Sequence, residues 1–249
     1  MITQLADVFF GFLPNHVKRR IGLKLTRQAD SEMRAFTDLF VPPYQQWAEW
    51  KSGLGDAAFV LYSLVRTNRP KVIVEIGSAR GRSTCAFALA CAQNKQGKVY
   101  AIDPHTLNSW TELGTNAETL DFLRRRLKEY ELENYCEVVV NTSGAAAKGW
   151  SQPIDLLFID GDHTYEGVKL DFESFRQWLT PNSLVVFHDT MWKYHKTHEG
   201  YRDDMGVPQY MQELTAEGFQ SVTIQAWPGI TILRPAIGGF PFLVEPPRA

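Results

Sequence analysis

The loop EIGSARGRS carries residues suited to holding a polar ligand. Gly77 and Gly81 lack a Cβ atom, so the backbone there can take a positive φ and approach a ligand closely. The run after Ser83 is helix-forming, and the first turn of a helix leaves amide donors without partners. The spacing is neither the G-x-G-x-x-G of dinucleotide-binding loops nor a phosphate loop ending in Gly-Lys-Ser/Thr. The residues predict a cofactor loop, and the alternative is a tight turn whose glycines only permit packing.

An acidic residue after the next apolar run strengthens the cofactor interpretation. Asp103 follows the run Val99 to Ile102 and precedes Pro104. A carboxylate at the end of a strand can accept hydrogen bonds from both hydroxyls of a ribose. In doubly wound sheets the ligand lies outside the carboxyl ends of the strands, where the topology reverses, so the glycine loop and Asp103 should converge. The pair predicts a nucleoside site, and the alternative for Asp103 is an exposed turn residue.

Strands and helices must position these residues, and the hydrophobic pattern predicts them in alternation. Residues 72–76 are nearly continuous and β-branched, as in a strand buried on both faces. Apolar runs that end in polar residues predict further strands at 99–102, 137–140, 154–159 and 183–187, the last beginning after a break at Pro181-Asn182. Between them, apolar residues recur at helical spacing: Leu120, Leu123, Leu127 and Tyr130, then Val168, Phe172 and Phe175. The alternation predicts an α/β fold, a doubly wound and mostly parallel sheet with helices on both faces.

The C-terminal part departs from this alternation. Residues 208–214 have a helical pattern, and residues 221–226 and 229–233 predict two strands around Trp227-Pro228-Gly229. A Rossmann-like sheet with such a terminal antiparallel hairpin resembles the class I S-adenosylmethionine-dependent methyltransferases, over roughly residues 55–235. The resemblance implies seven strands.

Two motifs, FIDGDHTYEGVKLDF and VVFHDT, resemble those of metal-dependent O-methyltransferases related to macrocin and mycinamicin methyltransferases and to the cephalosporin-cluster methyltransferase subunit. The resemblance implies that Asp160 and Asp189 bind Mg²⁺ or Mn²⁺ and that His163 is the general base beside Asp160. His188 stands where relatives often have glutamate, and it is the third predicted metal-binding residue. Such a cation prefers carboxylate oxygens and lowers the pKa of a bound hydroxyl, whose proton a neutral histidine can take. The alternative is that these residues are caps and turns, as we predict for Asp162.

The resemblance also implies S-adenosylmethionine as the cofactor. Its predicted contacts are Glu75, Gly77, Ser78, Gly81, Ser83, Asp103, Ser143 and Asp160. Ser143 is the predicted contact near the adenine, and Asn141 or Thr142 could make this contact equally well. Polar and aromatic residues after Asp103 and Asp189 predict substrate walls or, alternatively, packing against a second subunit: His105, Trp110, Trp192, Tyr194, His195, His198 and Tyr201.

Composition fits a soluble enzyme. The 249 residues are 44% hydrophobic with a net charge of −2, and no basic excess indicates nucleic acid as a partner. Three cysteines without metal spacing predict reduced thiols in a cytoplasmic protein. The expected divisions are a helical extension at 1–54, the methyltransferase domain at 55–235 and a tail at 236–249. Arg80, Arg82 and the run Arg124 to Arg126 are expected to be solvated.

The first residues combine a short apolar run with a basic stretch. Phe9, Phe10, Phe12 and Leu13 are too few to span a bilayer, and no secretory signal pattern is present. We expect an arm that covers the core or a partner subunit, hence a homo-oligomer; contact with a membrane surface is the less favoured interpretation.

The leading hypothesis is a metal-assisted O-methyltransferase acting on a hydroxyl of a sugar or a glycosylated natural product. A second hypothesis is an NAD-dependent dehydrogenase or an Fe(II) enzyme that uses His163, His188 and a carboxylate. A third is a noncatalytic cofactor-binding partner protein. The glycine spacing argues against the dehydrogenase, and the set Asp160, His163 and Asp189 argues against the noncatalytic protein.

Overall fold

The computed structural model describes residues 15–40, 50–106, 118–192, 204–225 and 228–235. Its helices are α1 (Asn15–Leu39), α2 (Ala57–Asn68), α3 (Arg82–Asn94), α4 (Thr119–Glu129), α5 (Ser143–Lys148), α6 (Tyr165–Arg176) and α7 (Val207–Ala216). Its strands are β1 (Val72–Ile76), β2 (Lys98–Ile102), β3 (Cys136–Val139), β4 (Ile154–Ile159), β5 (Leu179–His188), β6 (Gln220–Ile224) and β7 (Ile230–Arg234). In the described part of the chain, no helix is long and apolar enough to cross a membrane.

The strands form one seven-stranded sheet in the order β3-β2-β1-β4-β5-β7-β6. β1 to β5 are parallel, whereas β7 runs antiparallel to both β5 and β6. The predicted doubly wound sheet and terminal hairpin are therefore confirmed. The strand order reverses between β1 and β4, so the loops that follow β1, β2 and β4 share one edge at the switch point.

Successive strand residues supply two separate cores. Ile73 and Phe158 face a core formed with α1 to α4, while Val74 and Leu157 face another formed with α5 to α7. This alternation explains why the strand sequences are apolar at nearly every position.

Arg82 is 2% exposed, which corrects the expectation that it is solvated. Its Nη2 donates to the carbonyl oxygens of Leu39 at 3.2 Å and Gly55 at 2.8 Å. Carbonyls at the end of a helix lack partners within it, so this guanidinium satisfies the end of α1 and fixes it beside α3. The fold thus incorporates the C-terminal end of α1, whereas residues 9–13 lie outside the described residues.

Arg126 also departs from the expected solvated run. Its Nη1 lies 3.0 Å from Glu129 Oε2 and 4.0 Å from Asp38 Oδ2. The guanidinium lies 5.3 Å from the centre of the Trp50 ring and 5.0 Å from that of Phe122. Aromatic rings and acidic partners therefore cover a group that the sequence pattern alone places in water.

β5 begins earlier than predicted. Ile154 pairs with Leu179, but Leu156 pairs with Leu184, so the intervening residues bulge out of the sheet. Ser183 Oγ accepts the Thr180 N–H at 2.7 Å and donates to the Ile154 carbonyl at 2.5 Å. The bulge accommodates Pro181, which has no N–H to donate, without ending the strand.

Glu75 is completely buried between β1 and the start of α3. Its carboxyl group accepts hydrogen bonds from Ser83 Oγ and, at 2.5 Å, from Thr84 Oγ1. Burial raises the pKa of the Glu75 carboxyl to about 8, although the two hydroxyls lower it. Glu75 therefore links strand to helix as a largely protonated acid at neutral pH.

The three cysteines are buried and unpaired, as the sequence predicted. Burial raises the pKa of the Cys91 thiol to about 12, so it stays protonated and unreactive.

We predict that Glu75→Gln removes part of the pH dependence of stability. Unfolding returns the Glu75 pKa from about 8 to 4.5, so between these pH values the unfolded state loses a proton that the native state keeps. The free energy of unfolding of the wild type should fall as pH rises through this window, with a slope of up to about 1.4 kcal/mol per pH unit. Urea denaturation from acidic to mildly alkaline pH measures this slope.

The free energy of unfolding of the Glu75→Gln variant should fall less steeply with pH, so the variant should become more stable relative to the wild type as pH rises. Glu133→Gln, which changes an exposed acid, should parallel the wild type. Parallel curves for Glu75→Gln and the wild type would contradict the assignment of a buried, protonated Glu75.

Candidate functional site

Backbone hydrogen bonds join the loops at the carboxyl edge of the sheet. The Gly77 N–H donates to the Ile102 carbonyl at 3.0 Å, and the Asp160 N–H donates to the Ile76 carbonyl at 2.9 Å. The Asp103 N–H donates to the Val139 carbonyl at 3.2 Å. The ends of four adjacent strands are therefore held in one continuous rim, as the sequence analysis expected for the glycine loop and Asp103.

Gly77 and Gly81 are required by packing as well as by conformation. Gly77 has φ +88°, and a Cβ atom there would lie 2.1 Å from the Asp160 carbonyl oxygen. Gly81 has φ +85°, and its Cβ would lie 2.2 Å from the Leu123 side chain. Close packing therefore favours glycine at both positions, and it is compatible with a ligand on the other side of the loop.

The glycine loop and Asp103 form a polar cradle. The Ala79 N–H donates to Asp103 Oδ2 at 2.8 Å, and the His105 N–H donates to Oδ1 at 2.6 Å. Ser78 is 2% exposed, yet its Oγ has no hydrogen-bond partner. A buried hydroxyl without a partner costs about 1–3 kcal/mol, so a polar ligand that reaches it would recover that energy. These residues fit a nucleoside cofactor with polar substituents.

A second group of side chains gathers where β4 and β5 end. Asp160, His163 and Asp189 offer ligand atoms within 4.8 Å of one another. His163 Nδ1 lies 3.1 Å from Asp189 Oδ2. β5 ends at His188, and Asp189 has φ +58°, so the chain turns there and both residues face the same region.

His188 contacts two members of this group, and its role as a metal ligand stays a prediction. Its Nδ1 lies 3.0 Å from Asp160 Oδ1 and 3.4 Å from Asp189 Oδ2. Burial disfavours a charged imidazole, but the two carboxylates raise the pKa of His188 well above its ordinary value. Burial likewise opposes ionisation of Asp189, yet His188 and His163 hold its pKa below the ordinary value. His188 therefore bridges Asp160 and Asp189 from a buried position beside this group.

Three predicted polar side chains are engaged within the protein. Ser143 Oγ donates to Asp171 Oδ1 at 2.5 Å, and the Ser83 hydroxyl donates to Glu75. The Ser83 hydroxyl and the Glu75 carboxyl thus stabilise the start of α3 after the cofactor loop, and the Ser143 hydroxyl stabilises α5 against α6. Asp162 is a turn residue whose Oδ1 accepts the Thr164 N–H at 2.9 Å, while Thr164 itself caps α6.

The sequence analysis missed Asp171 and the position of His105. Asp171 is buried, and it lies at helical spacing between Val168 and Phe175 on the apolar face of α6. An acidic residue on that face was the sequence feature that could have indicated a buried polar contact. His105 Nδ1 lies 3.0 Å from Thr119 Oγ1, and burial lowers the pKa of its imidazole. Of the predicted substrate walls, His105 and Trp192 are described, and Trp110, Tyr194, His195, His198 and Tyr201 lie outside the described residues.

Comparison with other sequences finds a family match that runs from within β1 to just beyond β5. Residues 74–190 match a family described as a methyltransferase domain. The uncharacterized protein y4gI of Sinorhizobium fredii is 29% identical over 205 residues, covering 80% of this chain and 21% of that protein. The uncharacterized protein R132 of Acanthamoeba polyphaga mimivirus is 27% identical over 139 residues, covering 55% of each chain. The chain thus spans about a fifth of the length of y4gI and about half of the length of R132.

Solved structures share the fold. The O-methyltransferase TomG of Streptomyces achromogenes, solved with S-adenosylmethionine, has a TM-score of 0.58 at 17% identity, covering 82% of this chain and 88% of TomG. PaMTH1 of Podospora anserina, solved with S-adenosylhomocysteine, has a TM-score of 0.57 at 13% identity, covering 89% and 97%. A methyltransferase from Geobacter sulfurreducens has a TM-score of 0.56 at 21% identity, covering 83% and 96%.

At these identities the structural likeness shows the fold alone, while residues 74–190 match a methyltransferase domain. Both findings agree with the resemblance to class I S-adenosylmethionine-dependent methyltransferases seen in the sequence.

Proposed function

We propose that this protein transfers the methyl group of S-adenosylmethionine to a hydroxyl of a small molecule, with the help of a divalent cation. The observation that carries the proposal is the adjacency of the two polar groups at the sheet edge. The backbone of Asp160 packs against Gly77 of the cofactor loop, while its carboxylate lies with His163 and Asp189. One residue therefore borders both the cofactor cradle and the cation group.

The cofactor is proposed to lie along the glycine loop. Asp103 is the proposed acceptor of the ribose hydroxyls, because each of its oxygens keeps a lone pair beyond the backbone N–H that it accepts. Ser78 Oγ and the start of α3 offer polar contacts to the methionine part. The bound cofactor supplies an electrophilic methyl group, and the main task of the chain is to align a nucleophile with it.

Asp160 and Asp189 are the proposed ligands of Mg²⁺ or Mn²⁺. Two carboxylates in one group suit a hard cation, and their ligand oxygens lie within 4.8 Å of each other. A divalent cation bound there would lower the pKa of a substrate hydroxyl. His188, buried between the carboxylates, keeps Asp160 and Asp189 at a fixed separation.

His163 is the proposed general base. Asp189 Oδ2 lies 3.1 Å from its Nδ1, which orients the ring and leaves proton transfer to Nε2. A base held beside the carboxylates that bind the cation would be close to the hydroxyl that loses its proton.

The proposed substrate is a hydroxyl of a sugar or a glycosylated natural product. This class is supported by the motifs FIDGDHTYEGVKLDF and VVFHDT, which resemble those of sugar and natural-product O-methyltransferases. We further propose a cytoplasmic homo-oligomer. Three unpaired, buried thiols suit a reducing compartment, and the exposed Leu23, Met33 and Phe59 offer apolar surface to a second copy.

The alternative enzymes are less well supported. An Fe(II) facial triad has two imidazoles and one carboxylate, whereas the converging set has two carboxylates and one imidazole. The glycine loop lacks dinucleotide spacing, and residues 74–190 match a methyltransferase domain.

We predict that Asp103→Asn weakens cofactor binding. The amide has one acceptor oxygen in place of two and carries no charge, so the dissociation constant for S-adenosylhomocysteine should rise about 10- to 100-fold. Isothermal calorimetry measures the change, with thermal denaturation to show that the variant is folded. Asp121→Asn, an exposed acid on α4, should bind as the wild type does. Equal affinities for the two variants would place the ribose elsewhere.

We predict that Asp160→Asn weakens Mn²⁺ binding by more than about 10-fold, because a neutral amide replaces a charged oxygen ligand. Electron paramagnetic resonance of free Mn²⁺ measures the affinity. Asp162→Asn is the matched control, since it changes the same charge in the same loop and an asparagine can still accept the Thr164 N–H. If both variants bind Mn²⁺ like the wild type, the cation group is not a metal site.

We predict that His163→Gln lowers the rate of methyl transfer by about 10²- to 10⁴-fold and flattens its rise with pH, because the proton acceptor is lost. Release of S-adenosylhomocysteine reports the rate, using a substrate selected from a screen of hydroxylated sugars and glycosides. Mn²⁺ affinity should be nearly unchanged. A loss of Mn²⁺ affinity as large as that of Asp160→Asn would make His163 a metal ligand and not the base.

A further inference from the structure

Asp171 is a buried carboxylate that the proposed reaction leaves without a role. It lies on α6 and is 6% exposed, facing the apolar core formed with α5 to α7. Burial raises the pKa of Asp171 to about 6, while Ser143 and the Asp162 backbone lower it. An acid kept ionised at neutral pH in such a place requires specific partners to offset its desolvation.

Its partners come from two different crossovers. Ser143 Oγ, in the first turn of α5, donates to Asp171 Oδ1 at 2.5 Å. The backbone N–H of Asp162 hydrogen bonds to the same carboxyl group from the loop after β4. One side chain thus joins the segment after β3, on the proposed adenine side, to the loop that carries Asp160 and His163.

The loop approaches Asp171 closely. A Cβ atom on Gly161 would lie 2.7 Å from Asp171 Oδ2, and Gly161 does not have a positive φ. Glycine is therefore needed at 161 for its small size and not for its conformation. The close contact between Gly161 and Asp171 Oδ2, together with the hydrogen bond from the Asp162 N–H, sets the distance between the loop and α6.

On this basis, and resting on the proposed function, we propose that Asp171 is a positioning residue. It holds the loop of residues 160–163 against α5 and α6, so that Asp160 and His163 keep the separation from Asp189 that cation binding and proton transfer require. Residues that orient metal ligands from behind typically change metal affinity about 10- to 100-fold when replaced.

Asp171→Asn and Gly161→Ala perturb this contact independently. The asparagine removes the negative charge that Ser143 Oγ and the Asp162 N–H stabilise, and the alanine pushes the loop away from Oδ2 without a backbone penalty. Glu166→Gln is the matched control, because it removes an acid from an exposed position on the same helix. Thermal denaturation identifies the variants that fold.

Three measurements on the full chain test the proposal: hydrogen exchange of the amides of residues 160–163, Mn²⁺ affinity, and S-adenosylhomocysteine affinity. We expect faster exchange in both variants and Mn²⁺ binding weakened at least about 10-fold. S-adenosylhomocysteine binding should weaken less than Mn²⁺ binding, by no more than about threefold, because Asp103 follows a different strand and is untouched. Glu166→Gln should match the wild type throughout.

Unchanged exchange and unchanged Mn²⁺ affinity in the folded variants would overturn the positioning role. If the wild type binds neither Mn²⁺ nor S-adenosylhomocysteine, the proposed function fails, and the exchange rates decide the inference alone. Faster exchange in Asp171→Asn and Gly161→Ala then still supports a positioning contact, and exchange equal to the wild type overturns it.

Discussion

The close approach of Gly77 to the backbone of Asp160 is the constraint on which the rest of the site depends. With φ +88° and no Cβ atom, Gly77 lets the loop after β1 lie directly against the end of β4. Because the Asp160 N–H donates to the Ile76 carbonyl, the two strand ends cannot separate without losing a backbone hydrogen bond. A larger residue at 77 would move the cofactor loop away from the cation group, so neither half of the site would remain in place.

This packing brings three carboxyl groups to adjacent strands, and the protein treats each one differently. Glu75 stays largely protonated because it is buried beneath α3 with two hydroxyls. Asp103 accepts two backbone N–H groups in the loop. Asp160 is paired with His188, whose own pKa is raised by the two carboxylates beside it. Repulsion among acids is thereby removed at Glu75, and it is offset by backbone N–H groups at Asp103 and by His188 at Asp160.

Sequence patterns predicted the features that depend on local periodicity. β1 and β4 are nearly continuous apolar runs, and α6 repeats Val168, Phe172 and Phe175 on one face, so their identity and order followed from spacing alone. The convergence of the glycine loop with Asp103 also followed, because strand ends meet at one edge of a parallel sheet.

Features that depend on distant partners did not follow. Arg82 is buried because the fold brings the carbonyls of Leu39 and Gly55 to it. The contact of His188 with both Asp160 and Asp189 depends on the turn at Asp189, whose φ of +58° no spacing reveals. The partner of Ser143 lies on another helix, at Asp171, and only a contact between crossovers defines it.

We propose that cofactor and cation bind side by side at this edge of the sheet. The direct test is the NMR signal of S-adenosylmethionine carrying a ¹³C-labelled methyl group, recorded on the wild-type protein with Mg²⁺ and then with paramagnetic Mn²⁺. The account predicts a bound methyl signal with Mg²⁺ that broadens severely when Mn²⁺ replaces it. A bound methyl signal that stays sharp while Mn²⁺ is bound would contradict the adjacency, and absence of cofactor binding would contradict the assignment of the site.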